Sequence, residues 1–304
     1  MATTAANLTS PVAKKHAGFV AFVLISSLAF YKVLEVLIDY TLHDESRSHL
    51  MLIPLVAIIL LYLDRRRIFA NIRPGIGPGV ALILGALILY FVANRSPFPQ
   101  DGNMPLAVST LALILAWAGG FLLFYGPSSL EAAAFPMLFL LLMVPLPDVI
   151  LDRVIHALQT GSTEIAYLIF QAVGTPVVRD GFLLTVPTVT IEVAKECSSI
   201  RSSLALFITC LLAAQMFLYT GWKKLVFVVL AMLVSVVKNG IRIATLTLLA
   251  IHVDPGFLTG KLHRDGGFVF FLIALAILWP AFILLEKSEK PPKPPSPGGQ
   301  LPEG

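Results

Sequence analysis

The chain contains 304 residues, of which 57% are hydrophobic and only 13% are charged. Soluble globular proteins carry about 25% charged residues, so this composition excludes a water-soluble fold of this size. The formal net charge is +4, but the basic residues stand in short clusters beside long apolar blocks, a pattern typical of membrane topology signals. No nucleic-acid partner is therefore expected.

The apolar blocks predict an all-α polytopic membrane protein. An α-helix needs roughly 20 residues to cross a hydrocarbon core of about 30 Å, and most blocks approach that length. A polar segment, residues 1–16, precedes the first block, and the proline-rich residues 286–304 are predicted to form a disordered cytoplasmic tail. Eight transmembrane helices are predicted, at residues 17–39, 50–64, 78–94, 105–125, 130–148, 199–220, 224–250 and 267–285.

Clusters of lysine and arginine predict the orientation, because cytoplasmic loops carry the excess of these residues. The clusters occur at residues 14–15, 65–67, 223–224 and 287–290. Both termini are then cytoplasmic. The predicted organisation is a cytoplasmic segment (1–16), a bundle of five spans (17–148), an extracytoplasmic cap (149–198), a bundle of three spans (199–285) and the tail (286–304).

The cap is predicted to contain one amphipathic helix and a small β-hairpin. Residues 151–174 carry their polar side chains mostly along one helical face, which is typical of a helix at the membrane interface or one that lines a polar cavity. Residues 177–193 are rich in Val, Thr and Ile, and Gly181 and Pro187 provide turn positions.

A charged junction follows the predicted hairpin and contains Glu196, Cys197, Ser198 and Arg201. Ser198 can cap the next helix, which leaves Cys197 near the positive helix N-terminus, where a thiolate is favoured. Arg201 lies four residues farther on and would favour the thiolate further. By contrast, Cys210 has only apolar and small neighbours and is interpreted as a packing residue.

Two later segments carry polar residues to the same side of the membrane. Arg242 lies 18 residues after Lys224, about 27 Å along a helix, so it reaches the outer interface. Asn239 precedes Arg242 by three residues and shares its face. His263 falls in the predicted outer loop before the last span, where an imidazole can act as the base for a thiol. The convergence of three segments at one level favours a functional site over separate packing, headgroup and loop roles.

In this order the three segments resemble the exosortase and archaeosortase family. The family pattern is Cys-Ser-Gly-x-Arg, then Asn-x-x-Arg within a later span, then His-x-x-x-Gly before the last span. Residues 197–201 read Cys-Ser-Ser-Ile-Arg, residues 239–242 read Asn-Gly-Ile-Arg, and residues 263–267 read His-Arg-Asp-Gly-Gly. Ser199 therefore departs from the usual glycine, while the cysteine and arginine are kept.

The resemblance implies a cysteine protease or transpeptidase with Cys197 as nucleophile, His263 as general base and acid, and Arg242 as oxyanion stabiliser. Binding or supporting roles would fall to Arg201, Asn239, Glu196 and Ser198. No cofactor and no metal ion is implied.

The resemblance also implies a location and partners. The location is the bacterial inner membrane, with the site facing the periplasm. The substrates are exported proteins that carry a C-terminal sorting signal, made of a Pro-Glu-Pro-type motif, an apolar span and a basic tail. Membrane lipids and a lipid- or glycan-linked acceptor complete the expected partners.

Other functions remain open from the residues alone. A secondary transporter would use Glu192, Asn239 and Arg242 around a helix break at Gly240, but it predicts a midplane site and an internal repeat, and the sequence shows neither. A non-catalytic scaffold would tolerate Cys197→Ala. A rhomboid-like protease or a metalloprotease would need motifs that the chain lacks, such as Gly-x-Ser-x-Gly or His-x-x-x-His.

Overall fold

The computed structural model describes residues 11–43, 47–95, 102–193, 200–258 and 266–289. The structure is 81% helical, and a small antiparallel sheet interrupts the helices. The helices are α1 (Pro11–Ala29), α2 (Tyr31–Leu42), α3 (His49–Leu63), α4 (Arg65–Ile68), α5 (Ile76–Arg95), α6 (Met104–Tyr125), α7 (Pro127–Ala132), α8 (Ala134–Phe139), α9 (Asp148–Ala172), α10 (Ile200–Phe217), α11 (Gly221–His252) and α12 (Gly267–Lys287). The strands are β1 (Val178–Asp180), β2 (Leu183–Val186) and β3 (Val189–Glu192), and 3-10 turns occur at Leu140–Met143 and Pro255–Leu258.

The helix lengths confirm the predicted all-α polytopic membrane fold. Within the described ranges, six helices are long and apolar enough to cross a membrane, namely α1, α5, α6, α10, α11 and α12. A seventh span results if the bent pair of residues 134–143 and α9 counts as one.

Three of the eight predicted spans have a different form. The span predicted at 17–39 is divided between α1 and α2 at Phe30. The apolar helix α3 has 15 residues, fewer than the roughly 20 that a straight crossing needs. The predicted span at 130–148 is divided among α7, α8 and the 3-10 turn Leu140–Met143. Proline has no amide hydrogen and clashes with the preceding turn, so Pro136, Pro145 and Pro147 prevent one continuous helix here.

The chain forms two compact units, Met1–Leu151 and Asp152–Gly304. In the first unit, α5 and α6 pack closely together, and α1 and α2 lie against α6. An aromatic cluster fills the space around the C-terminal end of α6, where the Tyr125 hydroxyl and His16 Nδ1 share a hydrogen bond of 2.8 Å.

In the second unit, α10, α11 and α12 pack around a core of small and apolar side chains. Cys210 lies in this core with 2% of its surface exposed, as expected for a packing residue. The core is formed by Leu206, Cys210, Ala214, Leu218, Phe227, Ala231, Val234, Ala274 and Leu278.

The predicted hairpin is present and is extended by a third strand. The sheet has the order β1-β2-β3, both pairs are antiparallel, and Leu184 lies opposite Ile191 in the second pair. Its inner face packs against α9 and against the part of α11 that follows Arg242. The buried residues of this cluster are Ala166, Phe170, Leu184, Val186, Val193, Ile243 and Ala244. One half of α11 therefore belongs to the helical bundle and the other half supports the sheet.

Helices α9 and α11 approach each other closely at two glycines. A Cβ atom added at Gly240 would lie 2.5 Å from Cβ of Ile165 and 3.0 Å from the carbonyl oxygen of Ser162. A Cβ atom at Gly161 would lie 2.6 Å from Cγ1 of Val236. Small residues allow membrane helices to approach closely and pack through their backbones. Gly240 is therefore a contact point of α11 with α9 rather than a break in the helix.

This contact predicts a selective effect of Gly240→Ala. The added methyl group must displace Ile165 or the α9 backbone, and overpacking of this kind typically costs about 1–3 kcal/mol. The matched control is Gly85→Ala, because a Cβ atom there meets nothing within 4 Å. We expect Gly240→Ala to lower the melting temperature in detergent and Gly85→Ala to leave it unchanged or raise it. Equal shifts in the two variants would contradict the close approach.

Candidate active site

The polar run in α11 is buried. Lys238 and Asn239 are each 1% exposed, and Arg242 is half-buried. Ionisable side chains at membrane depth are costly unless they have partners inside the protein, so their contacts are informative.

Lys238 joins α11 to the beginning of α10. Its ammonium group donates a hydrogen bond to the Ser202 hydroxyl. One turn away, the Ser235 hydroxyl donates to the Ser203 hydroxyl at 2.6 Å. Since α10 begins three residues after Cys197, these contacts hold the helix that follows the candidate nucleophile against α11.

Asn239 joins α11 to α9. Its Nδ2 donates to Oγ of Ser162 at 3.0 Å, and Ser162 is completely buried. The face of α9 that carries this contact also buries Gln159 and Thr163, while the apolar Leu168 is 49% exposed. This distribution matches the predicted alternative in which the helix lines a polar interior, with apolar residues on its outer side.

Arg242 lines a pocket between α11, the end of β3 and the turn Pro255–Leu258. The pocket is small, and part of it is open to the outside. Its walls are mostly apolar, with Arg242 and Glu192 as the charged groups. The lining residues are Ile191, Glu192, Val193, Arg242, Ile243, Leu246, Thr247 and Leu258.

Two hydrogen bonds fix the backbone of Val193, the residue directly after β3. Its N–H donates to the carbonyl oxygen of Phe182 at 3.0 Å, and its carbonyl oxygen accepts a hydrogen bond of 2.8 Å from Nε2 of Gln159. Both Val193 and Gln159 are buried. A buried backbone carbonyl that is satisfied in this way fixes the path of the chain. The chain therefore leaves the sheet in a defined position four residues before Cys197.

Four of the predicted site residues lie outside the described residues: Glu196, Cys197, Ser198 and His263. Of the other three, Arg242 is in the pocket wall. Asn239 is buried against α9, and Arg201 is exposed in the first turn of α10. Asn239 thus donates to α9, and Arg242, three residues farther along α11, lines the pocket.

Two buried residues contribute to this region in addition to the predicted site residues, namely Lys238 and Gln159. Lys238 had a usable signal, because a lysine within an apolar span needs a partner. Gln159 had a weaker one, since its position on the polar face of α9 did not show that it would bind the Val193 carbonyl.

The charged groups of the pocket wall do not form a metal site. The described part of the chain contains no group of three or more His, Cys, Asp and Glu side chains that could hold a metal ion. A cation and a carboxylate among apolar walls are instead suited to a polar group of an otherwise apolar ligand.

Comparison with known proteins gives one family. The family model for transmembrane exosortases (Exosortase_EpsH) matches residues 41–280, a range that contains all three sequence motifs and the pocket. No curated protein and no solved structure gives a significant match. The match confirms the family expected from the motifs.

Proposed function

Because the chain belongs to the transmembrane exosortase family, we propose that it is a membrane-embedded cysteine peptidase and transpeptidase. Its substrates are exported proteins with a C-terminal sorting signal, and cleavage takes place at the outer face of the bacterial inner membrane. The released protein is transferred to a lipid- or glycan-linked acceptor.

One observation carries the proposal beyond the family match. Val193 and Leu258 both line the pocket of Arg242. Val193 is the last described residue before the segment of Cys197, and Leu258 is the last described residue before the segment of His263. Cys197 follows Val193 by four residues and His263 follows Leu258 by five. Extended chains of these lengths reach at most about 14 and 18 Å. These short connections support a site that Cys197 and His263 share with Arg242.

The chemistry uses these three side chains in two steps. His263 takes the proton of the Cys197 thiol, and the thiolate attacks the scissile carbonyl carbon. Arg242 donates hydrogen bonds to the resulting oxyanion. The C–N bond then breaks as the leaving amine takes a proton from His263, and a thioester remains on Cys197. The acceptor next loses its proton to His263, attacks the thioester and releases Cys197.

The remaining predicted residues act around this centre in the proposal. Arg201 and Ser198 favour the Cys197 thiolate at the start of α10, and Glu196 lies beside it in the chain. Asn239 donates to Ser162 and so keeps α11 against α9, which positions the helix that carries Arg242.

The direct test is processing of a tailed reporter. The reporter consists of a folded exported domain, a Pro-Glu-Pro-type motif, an apolar span and a basic tail. We expect co-expression with the chain to convert the reporter to a shorter form, seen by intact mass, in which the apolar span is gone. An unchanged reporter mass across several motif variants would contradict the proposal.

The two cysteines should differ in reactivity. Cys210 is 2% exposed in the helical core, whereas the proposal puts Cys197 at a positively charged, accessible helix start. We expect a membrane-impermeant maleimide to label the Cys210→Ala variant at least roughly tenfold faster than the Cys197→Ala variant, because the thiolate is the reactive species. Equal rates in these single-cysteine proteins would contradict a nucleophile at Cys197.

A further inference from the structure

The outer edge of β3 is the feature that the proposed chemistry leaves unused. β3 is the last strand in the order β1-β2-β3, and no described residue pairs with its other side. The sequence of the strand, Val-Thr-Ile-Glu, contains neither proline nor lysine. Proteins commonly protect a strand edge from pairing with proline or with charged residues, and Glu192 is the one charged residue of β3.

The register shows which backbone groups face outward. The Val193 N–H donates to the Phe182 carbonyl, and Ile191 lies opposite Leu184, two residues along. Hydrogen bonding alternates along an antiparallel pair, so Ile191 and Val193 point their backbone groups toward β2. Thr190 and Glu192 therefore present their N–H and C=O groups at the outer edge.

This edge borders the pocket of Arg242. Ile191, Glu192 and Val193 form one wall, and Arg242, Leu246 and Leu258 belong to the opposite walls. A strand bound along the edge would alternate its side chains between the pocket and the outside. The side chain that enters the pocket would meet apolar groups and the two charged residues Arg242 and Glu192.

The edge is also rigid. The inner face of the sheet is packed on α9 and α11, and Gln159 holds the carbonyl of Val193 at the end of the strand. The ion pair between Arg179 and Glu164 ties β1 to α9. A preformed edge of this kind needs little ordering when a peptide binds.

We propose that the outer edge of β3 binds the substrate as a fourth, extended strand, with alternate side chains entering the pocket beside Arg242. Backbone hydrogen bonds then provide affinity that depends little on sequence, and the pocket provides selectivity. The inference rests on the proposed function, because it identifies the bound polypeptide as the segment that carries the scissile bond. Since β3 ends at Glu192, five residues before Cys197, the end of the binding edge lies within about 18 Å of Cys197.

A backbone substitution tests the outward N–H of Thr190. Thr190→Pro removes that donor, while Thr190→Ala removes the side chain and keeps the donor. We expect Thr190→Pro to lower the processing rate of the tailed reporter about fivefold to tenfold, as the loss of one hydrogen bond predicts. Thr190→Ala keeps the donor and should process the reporter about fivefold to tenfold faster than Thr190→Pro. Equal rates for the two variants, at matched membrane levels and melting temperatures, would overturn the proposal.

Disulfide crosslinking detects binding of the reporter without turnover. It replaces a side chain of β3 by cysteine and keeps the backbone groups of the edge. Thr190→Cys and Glu192→Cys are each placed in the Cys197→Ala background, and the reporter carries a single cysteine at successive positions through its motif. We expect crosslinks at every second reporter position. We also expect the preferred position to shift by two residues between the two variants, as strand pairing requires. The control is Val178→Cys, which lies on the far strand β1 and is 69% exposed.

The outcomes separate the docking from the chemistry. Crosslinks that alternate, with no processing by the wild-type chain, would support docking and contradict the proposed function. Processing without crosslinks above the Val178→Cys level would overturn docking alone. Crosslinking between two copies of the chain in the absence of reporter would show that the edge binds a second copy, and this result would also overturn the proposal.

Discussion

Cys197→Ala is expected to abolish processing of the tailed reporter. The variant has no nucleophile to form the thioester, and loss of a catalytic nucleophile reduces rates on the order of 10³-fold or more. Cys197→Ser should leave little activity, because a hydroxyl group is a poorer nucleophile in a site that activates a thiol. The measurement is the processed fraction of the reporter at matched enzyme levels.

The second cysteine provides the control for this prediction. Cys210→Ala removes a sulfur atom from the core of α10, α11 and α12, and it should keep processing near the wild-type level. Membrane insertion is checked separately in each variant, so that lost folding is not mistaken for lost chemistry. Full processing by Cys197→Ala would contradict catalysis through Cys197.

Arg242→Lys is expected to reduce processing by about 10²-fold, the effect typical of losing an oxyanion donor. Lysine keeps the positive charge but loses the planar group that donates several hydrogen bonds in fixed directions. Arg242 is half-buried in the pocket wall, and α11 continues to His252 beyond it. The residue is therefore placed to face a ligand rather than only lipid headgroups.

A matched substitution distinguishes this role from anchoring to headgroups. Arg66 is exposed in the short helix α4 within a run of three arginines, and Arg66→Lys should process at the wild-type rate. If Arg242 served only as an anchor, Arg242→Lys would behave in the same way. Equal processing by the two lysine variants would contradict an orienting or oxyanion role.

The sequence predicted the second unit better than the first. α10, α11 and α12 lie close to their predicted bounds, because each is one apolar block bordered by polar residues. The helix and hairpin before Cys197 were also predictable, since their periods and turn residues are distinct. The third strand, β1, was not, because Val178–Asp180 gains its strand partner only when β2 folds beside it.

The first unit shows why apolar composition alone does not define a span. Residues 17–42 form two helices with a break at Phe30, and residues 130–148 form several short ones. Hydropathy measures how apolar a segment is, but not whether its backbone hydrogen bonds continue from turn to turn. The prolines of the second segment interrupt that continuity without making it less apolar.

The candidate site was predictable in its residue types but not in its internal contacts. Spacing along a helix showed that Asn239 and Arg242 share a side of α11, but it did not show that α9 would take up the Asn239 amide. That contact depends on Gly240, which lets α9 approach. The partner of Lys238 depends in the same way on the packing of α10 against α11.

The most direct measurement is the intact mass of the processed reporter after turnover in hydroxylamine. A thioester on Cys197 would be intercepted by this nucleophile, because thioesters react readily with amines that compete with the natural acceptor. We predict a reporter that ends in a hydroxamate at the cleavage site, formed by the wild-type chain and by Cys210→Ala and absent with Cys197→Ala. A processed reporter that carries no hydroxamate, or a hydroxamate that still forms with Cys197→Ala, would contradict catalysis through Cys197.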